Sequence, residues 1–287
     1  MDFRIETIER RDFPTQLLEI PQIPESLFVV GAPLDPHALY LCVVGSRNNT
    51  KYGADACEKL IAGLAGTPIV VVSGLALGID SIAHRSAIKA GLKTVSFPGS
   101  GLSEKVLYPR TNLALAKEIL ASGGTLVSEF EPTFKATDWS FPQRNRLMAG
   151  LSHATLIIEA TEKSGTLITA RMALDYNREV LAVPGPINSI NSTGPHELIR
   201  QGATPVFDSK HILEFFGLVD TGERHTQPLP FDLSDDERAI LELLGEPRSR
   251  DDIIDEFEAP THEVNILLSA MEIKGLIKEE FGEIRRI

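Results

Sequence analysis

Short runs rich in valine and isoleucine alternate with amphipathic helical patterns through most of this 287-residue chain. No other feature restricts its fold as much. The runs are Leu39–Val44, Ile69–Ser73, Lys93–Phe97, Thr125–Ser128, Ala154–Glu159 and Val180–Val183. Between them lie helical patterns over Tyr52–Ala65, Ile79–Ala90, Asn112–Ala121, Arg144–Leu151 and Leu167–Asn177. Short apolar strands separated by helices predict βαβ units, and hence a doubly wound, mostly parallel α/β sheet covered on both faces. A last helix, strand and helix (Pro195–Gln201, Thr204–Phe207 and Ser209–Phe216) close this domain near Gly217, giving it the span 37–217.

Residues 1–36 hold Pro14, Pro21, Pro24, Pro33 and Pro36. They read as a short N-terminal arm packed on the main body, too small for a core of its own. Residues 218–232 are a linker by composition. In 233–287, Ser234, Ser249 and Thr261 stand where three helices would be capped. Gly275 ends the third helix and a hairpin turns at Gly282, a winged-helix-like layout.

The net charge is −12, and from Leu233 onward fifteen acidic residues face seven basic ones, so −8 of it belongs to the tail. A site for anions is therefore expected in the first part. The N-terminal residues lack a signal-peptide core, and no run approaches the ~18 apolar residues of a membrane span. Cys42 and Cys57 read as small core residues in a reducing compartment. The expected location is the cytoplasm, with no metal and no cofactor.

Three apolar runs end in small residues with a cation nearby: Gly45-Ser46-Arg47, the loop from Pro98 to Arg110, and Lys163-Ser164-Gly165-Thr166. Loops that follow parallel strands share one edge, so these cations are expected to converge on one crevice. Exposed backbone N–H groups there suit an anion. Each segment also has a plainer reading. Gly45 with a solvated Arg47 makes an ordinary turn, Arg110 an ordinary loop residue, and Thr166 an N-cap. Ser73-Gly74-Leu75-Ala76-Leu77-Gly78-Ile79-Asp80 brings Gly74 and Gly78 between a strand and a helix start, for close approach to a ligand or for packing. His84, one turn into that helix, reads as a hydrogen-bonded structural residue.

Phe141-Pro142-Gln143-Arg144-Asn145-Arg146 places two arginines at a helix start, where cations are unfavourable without a partner. With Glu129, Glu131 and Glu159 near in the pattern, one arginine is expected in an ion pair and the other facing the crevice. The loop at Lys163 is no ATP-binding loop, since the lysine precedes the glycine. No Gly-x-Gly-x-x-Gly follows any strand, which argues against a dinucleotide-dependent dehydrogenase.

In order and spacing, these segments resemble the DNA-processing protein A family (DprA, also called Smf). The resemblance rests on Val43–Arg47, Ser73–Asp80 with His84, Tyr108-Pro109-Arg110, Ser128-Glu129, Phe141–Arg146, Ser164–Thr169, Val183–Gly185 and Leu198–Ala203. It implies an extended Rossmann-like domain that binds single-stranded DNA, forms a homodimer and helps load the RecA recombinase. The strand-binding pocket it implies uses Arg47, Arg110 and Lys163. Gly45, Ser46, Gly74, Gly78, Arg144, Asn145, Arg146, Ser164, Gly165 and Thr166 are placed with them. His196 and Ile199 fall at the implied dimer contact, and Pro205 stands where an aliphatic residue is the family's pattern. The winged-helix-like tail resembles an optional family module.

A rival resemblance is to the nucleotide-cleaving lysine-decarboxylase-like (LOG) family. Its Pro-Gly-Gly-x-Gly-Thr-x-x-Glu motif ends in a catalytic glutamate, whereas Gly165-Thr166-Leu167-Ile168 leads here to Thr169. Without the carboxylate, the expected acid–base chemistry is missing, and the sequence reads as a binding protein rather than an enzyme.

Overall fold

The computed structural model describes residues 3–218, 234–245, 248–257, 259–280 and 282–286. The chain divides into two compact units, 1–219 and 220–287. Apart from Leu218, the expected linker lies outside the described residues.

In the large unit, strands β1 (Glu6–Glu9), β2 (Ser26–Gly31), β3 (Leu39–Val44), β4 (Ile69–Ser73), β5 (Thr94–Ser96), β6 (Thr125–Ser128), β7 (Ala154–Ile157), β8 (Glu179–Ala182) and β9 (Thr204–Pro205) build one sheet. Their order is β1-β2-β6-β5-β4-β3-β7-β8-β9. All neighbours from β6 to β9 are parallel, while β1 and β2 add antiparallel at one edge. The chain winds outward from β3 to β6, then returns to lay β7 on the other side of β3, with Val44 opposite Ile157. That reversal opens a crevice beyond the carboxyl ends of β3 and β7, where doubly wound sheets take their ligands.

The helices are α1 (Thr15–Leu18), α2 (Lys51–Ala62), α3 (Ile79–Lys89), α4 (Leu113–Ala121), α5 (Ser140–Leu151), α6 (Thr166–Asp175), α7 (Thr193–Arg200) and α8 (Ser209–Phe215). Side chains alternate across the sheet, so β3 serves two cores. Tyr40, Cys42 and Val44 join Leu17, Leu147, Leu151 and Ala170 on one face. Leu41 and Val43 join Cys57, Leu60, Ile61, Ala83 and Ile212 on the other. Burial on both faces is why the parallel strands read as unbroken apolar runs.

Two differences from the sequence reading matter. The N-terminal arm is part of the sheet: Val29 in β2 lies opposite Val127 in β6. The flanking prolines disguise this strand; they lie outside its residues, so its ladders to β1 and β6 are unbroken. Second, α5 begins at Ser140, so Pro142 sits in its first turn, where N–H groups have no intrahelical acceptor. Arg144 and Arg146 thus lie deeper in the helix than expected.

The small unit contains α9 (Asp235–Leu243), β10 (Arg248–Ser249), α10 (Arg250–Glu256), α11 (Thr261–Ile273), β11 (Ile277–Glu280) and β12 (Glu283–Arg286). Ser234 with Glu237, and Ser249 with Asp252, form capping boxes that satisfy the first N–H groups of α9 and α10. Thr261 lies just inside α11, whose cap position is Pro260. Gly275 and Gly282, both at positive φ, end α11 and turn the hairpin. Ile240, Ile253, Leu268, Met271 and Ile284 form its core.

Candidate functional site

The switch-point crevice has a volume of about 440 Å³. One wall is the turn after β3, including Gly45, Ser46 and Arg47; the facing wall is Ser164, Gly165 and Thr166 at the start of α6. Ser46 is held from both sides: its carbonyl accepts the Ile79 N–H at 3.2 Å, and its hydroxyl accepts the Asn48 N–H at 3.1 Å. This fixes Arg47, whose guanidinium lies 5.0 Å from the centre of the Phe141 ring. Among the described residues Arg47 has no hydrogen-bond partner and no carboxylate in ion-pair contact. Across the crevice, the Ser164 hydroxyl accepts the Thr166 N–H at 3.2 Å, closing the entry to the helix. Helix N-termini favour anions, so one wall offers a cation and the other aligned dipoles.

The floor holds two buried opposite charges, Asp80 and Arg144, which attract each other without an ion-pair contact. The Asp80 carboxylate accepts the N–H groups of Gly74 at 3.2 Å and Ala76 at 3.4 Å. Arg144, only 4% exposed, donates to the carbonyls of Gly74 and Phe97. Burial pushes the Asp80 carboxyl up, while Arg144 opposes the rise. Burial likewise lowers Arg144 to about 10, against the attraction of Asp80. Arg144 therefore keeps its charge at neutral pH, and its donors face protein carbonyls more than the crevice. Asn145, half-buried, lines the wall beside it.

Arg146 corrects the sequence reading. It is almost fully buried, ion-pairs with Glu129 and donates to the Gln22 carbonyl. It stands outside the crevice lining and ties α5 to the N-terminal segment and the end of β6. Of the two arginines, Arg146 is in the ion pair and Arg144 is in the crevice lining. Two further cations stand off the crevice. Arg110 is exposed, donates to the Glu104 carbonyl, and follows Tyr108 and Pro109, which border a smaller adjoining cavity with Gly74. Lys163 is exposed one residue before the wall. Gly78 lies behind the Ser46–Arg47 turn and shapes it from below.

The sequence reading assigned no role to Phe141, which borders both cavities and carries Arg47. Thr169, where the LOG motif has its glutamate, is 1% exposed and lines the crevice. His84 is outside the lining: fully buried, its Nδ1 pairs with the Thr94 hydroxyl at 2.7 Å. Burial lowers His84 to about 3. Below its ordinary value near 6.5, the unfolded chain binds a proton that the folded chain refuses. Stability from this residue is therefore lost as pH falls below about 6.5, at about 1.4 kcal/mol per unit. Urea midpoints between pH 7 and 5 are expected to fall more steeply in the wild type than in His84→Gln; parallel curves would refute this.

The implied dimer residues gather at the other end of the sheet. The His196 ring contacts the Gly185 carbonyl at 3.0 Å, Ile199 is half-buried against the core, and Pro205 is exposed in edge strand β9. Among the described residues, no helix is long and apolar enough to cross a membrane.

Known proteins share the fold of the large unit. The family model described as DNA recombination-mediator protein A matches residues 4–217, and the DprA winged helix domain matches 224–282. The chain belongs to this family. The Smf protein of Escherichia coli is 42% identical over 202 residues, covering 70% of this chain and 54% of the relative. The chain thus spans about half the length of that relative. The X-ray structure of Streptococcus pneumoniae DprA is 38% identical and covers 74% of each chain, with a TM-score of 0.68. A Helicobacter pylori DprA structure, described for its single-stranded DNA binding mode, is 31% identical with a TM-score of 0.66. It covers 75% of this chain and 98% of the Helicobacter one. The Rossmann-like reading and the winged-helix reading of the two units are both correct.

Proposed function

We propose that this DprA-family protein holds single-stranded DNA in the switch-point crevice, without sequence preference. The observation that carries this reading is Arg47 facing the start of α6. A cation with no hydrogen-bond or ion-pair partner among the described residues, across one crevice from a row of N–H and hydroxyl donors, fits a backbone phosphate. Arg110 and Lys163 at the rims extend the cationic track, and Phe141 and Tyr108 offer ring surface to bases. Gly74, Gly78, Arg144 and Asn145 shape the bed on which the strand lies. The single-stranded DNA binding described for the Helicobacter pylori relative supports this reading.

Arg47→Ala is expected to weaken oligo-dT binding about tenfold, roughly 1.4 kcal/mol. The slope of log affinity against log salt should become shallower by about 0.7, the share of one phosphate on a single strand. Fluorescence anisotropy of a labelled oligonucleotide measures both. Unchanged affinity and slope would refute the crevice reading.

The cleavage reading finds little support. Thr169 replaces the glutamate, and Asp80, the carboxylate in the lining, is held by two N–H groups and faces the charge of Arg144. We infer binding without catalysis; release of free base from a nucleoside monophosphate would reverse that inference. The reading extends to a homodimer formed through α7 and β9, with His196, Ile199 and Pro205, which delivers its strand to the RecA recombinase in transformation. Exposed Ile187, Ile190 and Phe207 flank that edge and favour an apolar contact. Sedimentation, and RecA filament assembly on oligo-dT, test these two steps.

A further inference from the structure

Strands β7, β3, β4, β5 and β6 are neighbours in that order, so the loops that follow them form a row along one edge of the sheet. Ser164–Thr166, Arg47, Leu77, Tyr108 and Trp139 occupy successive places in it. The crevice takes up the first part of this row, and Trp139 stands at its far end.

Trp139 is the chain's single tryptophan and is 58% exposed. Phe130 and Phe134 stack on each other at 4.6 Å between ring centres. Both meet the indole at steep angles, at 5.7 and 5.6 Å. The support is fixed. The Gly101 N–H donates to the Phe134 carbonyl at 2.9 Å, and the Ser103 N–H to the Pro132 carbonyl at 2.9 Å. The Ser140 hydroxyl donates to the Gly99 carbonyl at 2.6 Å. The loops after β5 and β6 are thus bonded together, and the indole rides on a rigid base.

An indole left largely in water on such a base forgoes burial that its own hydrophobicity favours. Charge indicates what would cover it. Glu131, Lys135 and Asp138 are exposed in the same loop, and their balance gives no pull on phosphate. What the loop offers is ring surface, which suits the face of a nucleobase. This loop is next in the row after that of Tyr108, whose ring lies 5.7 Å from that of Phe141 at the crevice border. From the β3 edge to the β6 edge is three strand spacings, about 14 Å.

Building on the single-stranded DNA reading of the crevice, we propose that the strand runs along the sheet edge past Phe141 and Tyr108 and stacks an unpaired base on Trp139. Trp139 then supplies affinity through bases, and Arg47 through phosphates.

The single tryptophan makes the test direct. Labelled oligo-dT is titrated into the full chain while oligonucleotide anisotropy and tryptophan emission are read together. Both signals are expected to saturate at the same DNA concentration. An abasic oligonucleotide with the same number of phosphates should leave the emission unchanged. Trp139→Ala should lose affinity several-fold with the salt slope intact, and Trp139→Phe should recover most of the loss. Binding by anisotropy with unaltered emission overturns this proposal alone. No binding by anisotropy overturns the crevice reading as well. Emission that changes with protein concentration in the absence of DNA assigns the indole to a second copy of the chain, and also overturns it.

Discussion

Asp80→Ala is expected to lower the stability of the large unit by about 2–4 kcal/mol, because it leaves the buried Arg144 charge without a nearby opposite charge and two N–H groups without their acceptor. Arg144 is 4% exposed and Asp80 6% exposed. The substitution removes the counter-charge of the guanidinium and strands the Gly74 and Ala76 N–H groups, which now donate to the carboxylate. Arg144 would still reach the carbonyls of Gly74 and Phe97, but neutral acceptors do not replace a charge. Asp80→Asn keeps an oxygen for the N–H groups and should lose less. Urea unfolding followed in the large unit measures both, with the midpoint moving at constant slope. A loss below about 1 kcal/mol for the alanine variant would mean that this carboxylate is not what holds the crevice floor together.

Much of this architecture is legible in the sequence because local patterns determine it. Leu39–Val44 and Ile69–Ser73 are strands over the residues that their apolar runs mark, since burial on both faces leaves no polar interruption to blur them. Ser234 and Ser249 cap their helices as their positions imply, because a cap needs only neighbours within one turn. The strand β2 is obscured, since prolines dominate its surroundings and its partner β6 lies almost a hundred residues away. Tertiary partners also decide the arginines. Arg144 and Arg146 are two residues apart on one helix, yet one floors the crevice and the other pairs with Glu129. A spacing of two turns side chains to different helix faces, so the motif supplies both roles without labelling them. Phe141 is missed for a related reason: only the path of the loop after β3 brings Arg47 over its ring.

Gly78→Ala is expected to weaken oligo-dT binding by more than tenfold, more than the loss of the Arg47 side chain itself. Gly78 has φ 76° and ψ −131°, a conformation open to glycine and strained by about 1–3 kcal/mol in other residues. A Cβ there would lie 2.3 Å from the Ser46 carbonyl oxygen and 2.7 Å from that of Arg47. Neither backbone atom can swing aside as a side-chain tip would. Relief requires the Ser46–Arg47 turn to move, or the bond from the Ile79 N–H to the Ser46 carbonyl to break. Either shift carries Arg47 away from the start of α6 and opens the gap that a phosphate would bridge. Gly245→Ala in the small unit is the control, because a Cβ there meets only the Glu242 carbonyl oxygen at an ordinary 3.6 Å and its φ lies outside the left-handed region. Anisotropy with labelled oligo-dT, beside urea unfolding of each variant, separates lost binding from lost folding. Wild-type affinity in a folded Gly78→Ala protein would mean that the strand does not depend on where this turn holds Arg47.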